Sequence, residues 1–201
     1  MEYMTRRWFL LVPLFGLARA WGATDFWNRK SSKDWTEEEI LVLITKSPWA
    51  QEARVDPKTG VASPIPETAQ SNGGPDKPVI GARAATMVVC WDSAQPILDA
   101  LGNLLPPGLG GHYVIGVHDP AREIEPLKAS STLSAKGKDS TQAGTVVRSR
   151  DGSTVFFAFS RELLPLNARD RDVLFSLDTD RVALKAKFDP KAMIYRGQLA
   201  L

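Results

Sequence analysis

One cysteine and two histidines in 201 residues leave little material for thiol or soft-metal chemistry. A lone Cys90 cannot close a disulfide within the chain, so no internal disulfide framework supports this fold. It sits in the strand-like run TMVVCW. There a buried inert thiol is the expected state, with intermolecular pairing or reactivity as the alternative. No Cys-x-x-Cys, haem-attachment motif or cluster spacing occurs, so neither a cofactor nor a bound metal is expected. Phosphate loops are missing too. The run PPGLGG (106–111) lacks the G-x-x-x-x-G-K-[ST] pattern and follows a helical stretch rather than a strand. Ser130, Ser131 and Ser134 invite a nucleophile reading, but nothing near them resembles G-x-S-x-G.

Long apolar runs are also scarce. The longest, around Trp8 to Ala18, is too short to span a bilayer as a standard helix. Its surroundings explain it better. Arg6-Arg7 precede it with Thr5 before them and Phe9-Leu10 after, and Ala18-Arg19-Ala20 closes it as a small-residue cut site before Trp21. A basic end, an apolar middle and an A-x-A cut make residues 1–20 a twin-arginine-like export signal; a retained membrane anchor is the alternative. Exported, periplasmic or secreted localisation follows, with no stable membrane span after cleavage. Removing those residues leaves 22 of the 25 basic and 22 of the 23 acidic residues, so the remaining chain has no net charge. The positive residues from Arg122 to Arg150 are interleaved with Glu123, Glu125 and Asp139. Nucleic acid needs a concentrated positive surface, and none is expected here.

What is present is strand pattern. From Gly144 to Leu201 the chain reads as antiparallel strands: GTVVRSR, STVFFAFS, DVLFSL, RVALKAKF and AMIYRGQLAL. Val182, Leu184, Ala186 and Phe188 share one face; Ala183, Lys185 and Lys187 share the other. Asp151-Gly152 predicts a two-residue hairpin turn, and STVFFAFS, apolar on both faces, predicts a central strand covered by the first helix or its neighbours. Met193, Tyr195, Gly197, Leu199 and Leu201 predict one last strand, paired within the domain or with another chain.

Upstream, Thr36 before EEEILVLITK predicts a capped helix with Glu39 returning the bond, Trp35 stapled on Ile40, and Ser47-Pro48 as the stop. Ile40, Leu41, Leu43 and Ile44 form its apolar side. Residues 51–55 open an extended stretch, and a flexible loop is expected at about 56–78. Val79 to Trp91 and His112 to His118 predict strands. Between them lies a helix in SAQPILDALGNLL with Asp92 or Ser93 as cap. LKASSTLSAKGK reads either as a short helix or as a strand and turn. Together these give one α+β domain over 21–201: a largely antiparallel sheet with a C-terminal strand meander and two or three covering helices.

The chemistry-bearing candidates are few. His118 beside Asp119, with Glu123, could form a base with its orienting carboxylate, but adjacent strand residues point to opposite faces. Trp27, Trp35, Trp49 and Trp91, four of six tryptophans, are the candidates for binding a partner such as another envelope protein. Phe26, Trp27 and Trp35 can equally drape the N-terminal segment over the core.

The residues WTEEEILVLITKSPWA, VVCW, YVIGV, LKASSTLSAKGK, TVFFAF and KAKFDPKAMIYRGQLAL together resemble a family of small secreted acidobacterial proteins of unknown function. The resemblance covers most of the chain after residue 20. It implies an envelope or secreted setting and no particular activity. The expectation is thus a non-catalytic binding or structural module. A hydrolase-like enzyme using His118 and Asp119, and a small-molecule or metal carrier, are the alternatives. The sequence specifies neither the partner nor the oligomeric state.

Overall fold

The computed structural model describes residues 25–57, 86–102, 105–118, 130–179 and 182–201. Two 3₁₀ turns, Phe26–Asn28 and Ser32–Asp34, lead into α1 (Glu37–Thr45). Then come β1 (Ala50–Pro57), β2 (Thr86–Trp91), α2 (Gln95–Leu101), β3 (His112–His118), β4 (Ser131–Ser134), β5 (Thr141–Gln142) and β6 (Thr145–Arg148). The chain continues with β7 (Thr154–Ser160), β8 (Val173–Asp178), β9 (Val182–Phe188), β10 (Ile194–Tyr195) and β11 (Gln198–Leu199). The expected export signal, most of the loop at 56–78 and the start of the strand at 79 lie outside the described residues, as do Asp119 and Glu123. No helix among the described residues is long and apolar enough to cross a membrane.

The first nine strands form one antiparallel sheet in the order β5-β4-β8-β9-β1-β2-β3-β7-β6, curled into a half-barrel. Two strands make the corners. β1 pairs Ala50–Arg54 with β2 and then Val55–Pro57 with β9. The stretch from Thr141 to Arg148 pairs first with β4 as β5, then with β7 as β6. At its bend Ala143 N donates to Ser131 O (3.4 Å) and Gly144 N to Ala158 O (2.9 Å). The two edges of the sheet are therefore neighbours in sequence, and switching strands of this kind turn a sheet into a barrel-like corner. The expected C-terminal meander does not form. β7 and β8 follow one another in sequence but have four strands between them in the sheet. Across the curled interior they meet again, because Phe175 of β8 stands 5.4 Å from the Phe157 ring and 6.2 Å from the Phe159 ring of β7.

Local chemistry sets the covering elements. Thr36 Oγ1 accepts from Glu39 N (3.2 Å), and Glu39 Oε2 accepts from Thr36 N (3.0 Å), so the capping box is formed as its spacing requires. Leu43 is fully buried, with Ile40 and Ile44 beside it, but Leu41 points outward at 58 % exposure. α2 departs from expectation at its start. Its N-cap is Ala94, not Asp92 or Ser93. Ser93 is taken by β3: its Oγ accepts from Val114 N at 3.0 Å. Pro96 falls in the first turn, where its missing N–H costs nothing, and Gly102 ends the helix in the left-handed region at φ 72°. The Ser131–Ser134 segment is a strand, which settles the ambiguity of LKASSTLSAKGK there.

β7 is buried on both faces as its sequence implies. Val155, Phe157 and Phe159 join the main core, while Phe156 and Ala158 pack with Val114 and Leu109. The second face is thus covered by the segment that carries Leu105 and Leu109 before β3, not by α1. The final strand is broken in two. Arg196 and Gly197 both take positive φ (50° and 76°), which folds Ile194–Leu199 into a tight hairpin apart from the main sheet.

The β6–β7 connection is a four-residue loop, not a two-residue turn, since Ser149 N donates to Thr154 O at 2.8 Å across it. Asp151 sets that length. Its carboxylate accepts from Ser149 Oγ (2.6 Å), Ser153 N (3.1 Å) and Ser153 Oγ (2.9 Å). These bonds, Ser149 foremost, pull its pKa down to about 2. A carboxyl depressed on folding contributes stability above its unfolded pKa and loses it as pH falls. The loop should therefore keep its bonds down to about pH 2, where Asp151 protonates. An NMR titration of its carboxyl carbon checks this, and Ser149→Ala should move the midpoint up; an ordinary midpoint in the unchanged protein would contradict the bonded loop.

Candidate functional site

The four candidate tryptophans are all interior. Trp27, Trp35, Trp49 and Trp91 are each 8 % exposed or less. Trp27 meets Trp49 edge-on at 5.4 Å, Phe26 meets Trp35 at 5.5 Å, and Trp91 meets Phe188 at 5.3 Å. The expectation that they form a partner-binding surface is corrected: they are packing residues, and the 3₁₀ segment lies over the core. Aromatic burial of this size is more favourable inside than at a wet surface.

His118 ends β3 opposite Val88 and Thr154, while His112 begins the same strand opposite Ser160. Six residues of strand separate them by about 20 Å, too far to share a ligand or a proton. Its proposed partners Asp119 and Glu123 lie outside the described residues. Among the described residues no three of His, Cys, Asp and Glu gather as a metal site. Cys90 is buried. Burial first, then the charge and hydrogen bond of Asp92, raises its thiol pKa well above the usual value, which suits an inert packing residue.

Polar groups converge instead on the outer face of β4, β8 and β9. Cross-strand pairing aligns Ser134, Leu174 and Lys187 in one row, and Thr132, Ser176 and Lys185 in the next. The alternation in β9 that buries Leu184, Ala186 and Phe188 sends both lysines outward. Beyond β4 the chain turns through Ala135–Lys138, closed by Lys138 N donating to Ala135 O (3.0 Å). Gly137 sits at φ 82°, where a side chain would be strained. Lys136 N donates to Arg171 O (3.2 Å), tying this turn to the loop before β8. Between them lies an open basin of about 520 Å³ lined by Ser134, Ala135, Lys136, Lys138, Asp172, Leu174 and Lys187.

Two of the three ammonium groups are already paired, each with its own carboxylate. Lys187 Nζ lies 2.5 Å from Asp172 Oδ1, and Lys138 Nζ lies 2.8 Å from Asp170 Oδ2 and also donates to Pro165 O. Burial alone would raise the Asp170 pKa, but bonds from Lys138 and from Asn167 N (2.7 Å) outweigh it and hold the group ionised. Asp172 is held below the usual range by its bond from Lys187, and further by the charges of Lys187, Lys136 and Arg171. It also adopts φ 53°, a left-handed conformation that aspartate tolerates better than most residues. Lys136 has no ion-pair partner among the described residues. The basin gathers ammonium groups and the Ser134 hydroxyl, groups that can interact with an anion.

A second groove of about 610 Å³ runs between the Phe26–Asn28 turn and α1, lined by Phe26, Arg29, Lys30, Thr36, Glu38, Glu39 and Val42. Its central carboxylate is already engaged, since Glu39 meets Lys30 at 2.5 Å and closes the capping box. Sequence reasoning passed over the basin because Lys136 and Lys138 look like ordinary turn residues and Lys187 is some fifty positions away. The outward parity of Lys185 and Lys187 was the one available signal.

Compared with the models of protein families, with curated proteins and with solved structures, the chain matches none of them.

Proposed function

We propose that this chain is a non-catalytic binding or structural module of the cell envelope or secreted space, belonging to the small secreted acidobacterial family that its sequence resembles. The reading is supported by one observation above the others. Three lysines, Lys136, Lys138 and Lys187, line one open basin with Asp172 and Ser134, and Lys136 there has no ion-pair partner among the described residues. The twin-arginine-like N-terminal sequence supports the exported setting. With the tryptophans interior, the basin replaces them as the surface through which a partner is held.

The test is a mild affinity isolation of the tagged full-length protein from its native envelope, beside a Lys136→Glu, Lys187→Glu double variant. Mass spectrometry identifies what co-purifies and where the mature chain begins. A stoichiometric partner retained by the unchanged protein and lost from the variant is the expected result, with the chain starting at Trp21. Equal retention by both, or a protein that remains alone, would overturn the binding reading.

A further inference from the structure

The Lys187–Asp172 ion pair is a poor candidate for a purely structural contact. Lys187 is 65 % exposed and Asp172 is 45 % exposed, and pairs so open to water contribute little to stability. Asp172 also sits in the left-handed backbone region, at φ 53°. Conformations of this kind in non-glycine residues concentrate at sites that bind or switch. Lys136, presented by the turn at Gly137, adds a cation that no described carboxylate pairs. Ser134 adds a hydroxyl to the lining of the basin.

We propose that the basin binds a phosphoryl dianion between Lys136 and Lys187, with Ser134 as hydroxyl donor, and that Asp172 is the internal carboxylate which this ligand displaces. The inference rests on the binding-module reading and names the chemistry of its ligand. Lysines bind phosphate as point charges, and two features favour phosphoryl over carboxylate. One carboxylate already occupies the site and is held in an exposed pair, so a ligand of higher charge can replace it. And a phosphoryl group carries about −1.5 to −2 charges near neutral pH with three acceptor oxygens, enough for both lysines and the hydroxyl. The basin, at about 520 Å³, also has room for the molecule that carries the group.

The experiment is calorimetric titration of the full-length protein with pyrophosphate and with citrate, plus co-sedimentation with phosphatidylcholine vesicles containing phosphatidic acid. Pyrophosphate or the phosphatidic acid vesicles should bind. Lys136→Ala and Lys187→Ala should each weaken that binding about tenfold, the scale of one charge-assisted hydrogen bond. Asp172→Asn should tighten it, whereas Asp34→Asn, which removes the same charge from the Ser32–Asp34 turn, should leave it unchanged. Binding by pyrophosphate assigns a soluble phosphate ester, and binding by the vesicles alone assigns a lipid headgroup. Citrate binding as tightly as pyrophosphate, equal effects of the two aspartate variants, or no binding to either phosphoryl probe overturns the proposal. If neither probe binds but the envelope partner is still lost from the Lys136→Glu, Lys187→Glu variant, the phosphoryl inference falls while the module reading stands. Thermal unfolding of each variant confirms that these exposed substitutions leave the fold intact.

Discussion

Phe175→Ala should lower the unfolding free energy by about 3–5 kcal/mol, a large share of the 5–15 kcal/mol typical of a whole domain. Phe175 is fully buried on β8. Its ring touches Phe157 and Phe159 on β7, at 5.4 and 6.2 Å, although four strands separate β8 from β7 in the sheet. Truncating it removes apolar burial, two aromatic contacts and the filling between two arms of the curl at once. The surrounding strands are hydrogen-bonded on both sides and cannot collapse far into the space, so the cavity term is expected near its upper range. Leu163→Ala is the contrast. Leu163 is 72 % exposed in the loop after β7, and its loss should change stability by no more than about 0.5 kcal/mol. Urea unfolding followed by tryptophan fluorescence measures both. A Phe175→Ala midpoint close to that of Leu163→Ala would show that the arms of the half-barrel are not packed on one another.

The second large effect is at Trp49. Its side chain is fully buried, stands edge-on to Trp27 at 5.4 Å, and donates from Nε1 to Ala200 O at 2.7 Å. It therefore joins the N-terminal 3₁₀ segment, the start of β1 and the C-terminal hairpin. Trp49→Ala should cost about 3–5 kcal/mol. Trp49→Phe separates the two contributions. It keeps much of the ring but leaves a buried carbonyl unpaired, for a loss of about 1–3 kcal/mol. That loss should be local. Asn28 Nδ2 to Ile194 O (3.1 Å), Arg196 N to Asn28 Oδ1 (2.7 Å) and Arg161 to Leu201 O still hold the hairpin elsewhere. Hydrogen exchange reads it: the Ala200 amide, which donates to Met193 O at 3.0 Å, should exchange faster in Trp49→Phe while the β3 amides stay protected. Unchanged protection at Ala200 would mean that the indole bond does not anchor the hairpin.

The parts of this fold that were readable from the sequence are those whose information is local. The capping box of α1 depends on Thr36 and Glu39 three residues apart, and the helix forms with both bonds in place. β3, β7, β8 and β9 follow from period-two alternation or continuous apolar runs, and each lies where the pattern puts it. Where local signals competed, reading failed for identifiable reasons. Ser93 is a good cap by type, but β3 claims its hydroxyl. Asp151-Gly152 is a strong turn signal, but the bonds from Ser149 and Ser153 widen the loop. The hairpin at Arg196-Gly197 places an arginine where asparagine is the usual residue, so the sequence reads straight through it.

By itself, then, the sequence determined the type of α1, β3, β7, β8 and β9, the alternation along β9, and an interior rich enough in aromatic side chains to need covering. Tertiary structure alone decided which strands are neighbours. Pairing β9 with β1, and bending Thr141–Arg148 from one edge of the sheet to the other, depend on closing a shared core between residues far apart in the chain. It decided too that the tryptophans are interior: Trp91 on β2 and Trp27, Trp35 and Trp49 outside the strands are all buried in one core cluster that only the folded chain brings together. The lysine basin has the same origin: the Lys136–Lys138 turn, Asp172 and Lys187 come together because β4, β8 and β9 pair in that order, a fact of topology that no stretch of adjacent residues encodes.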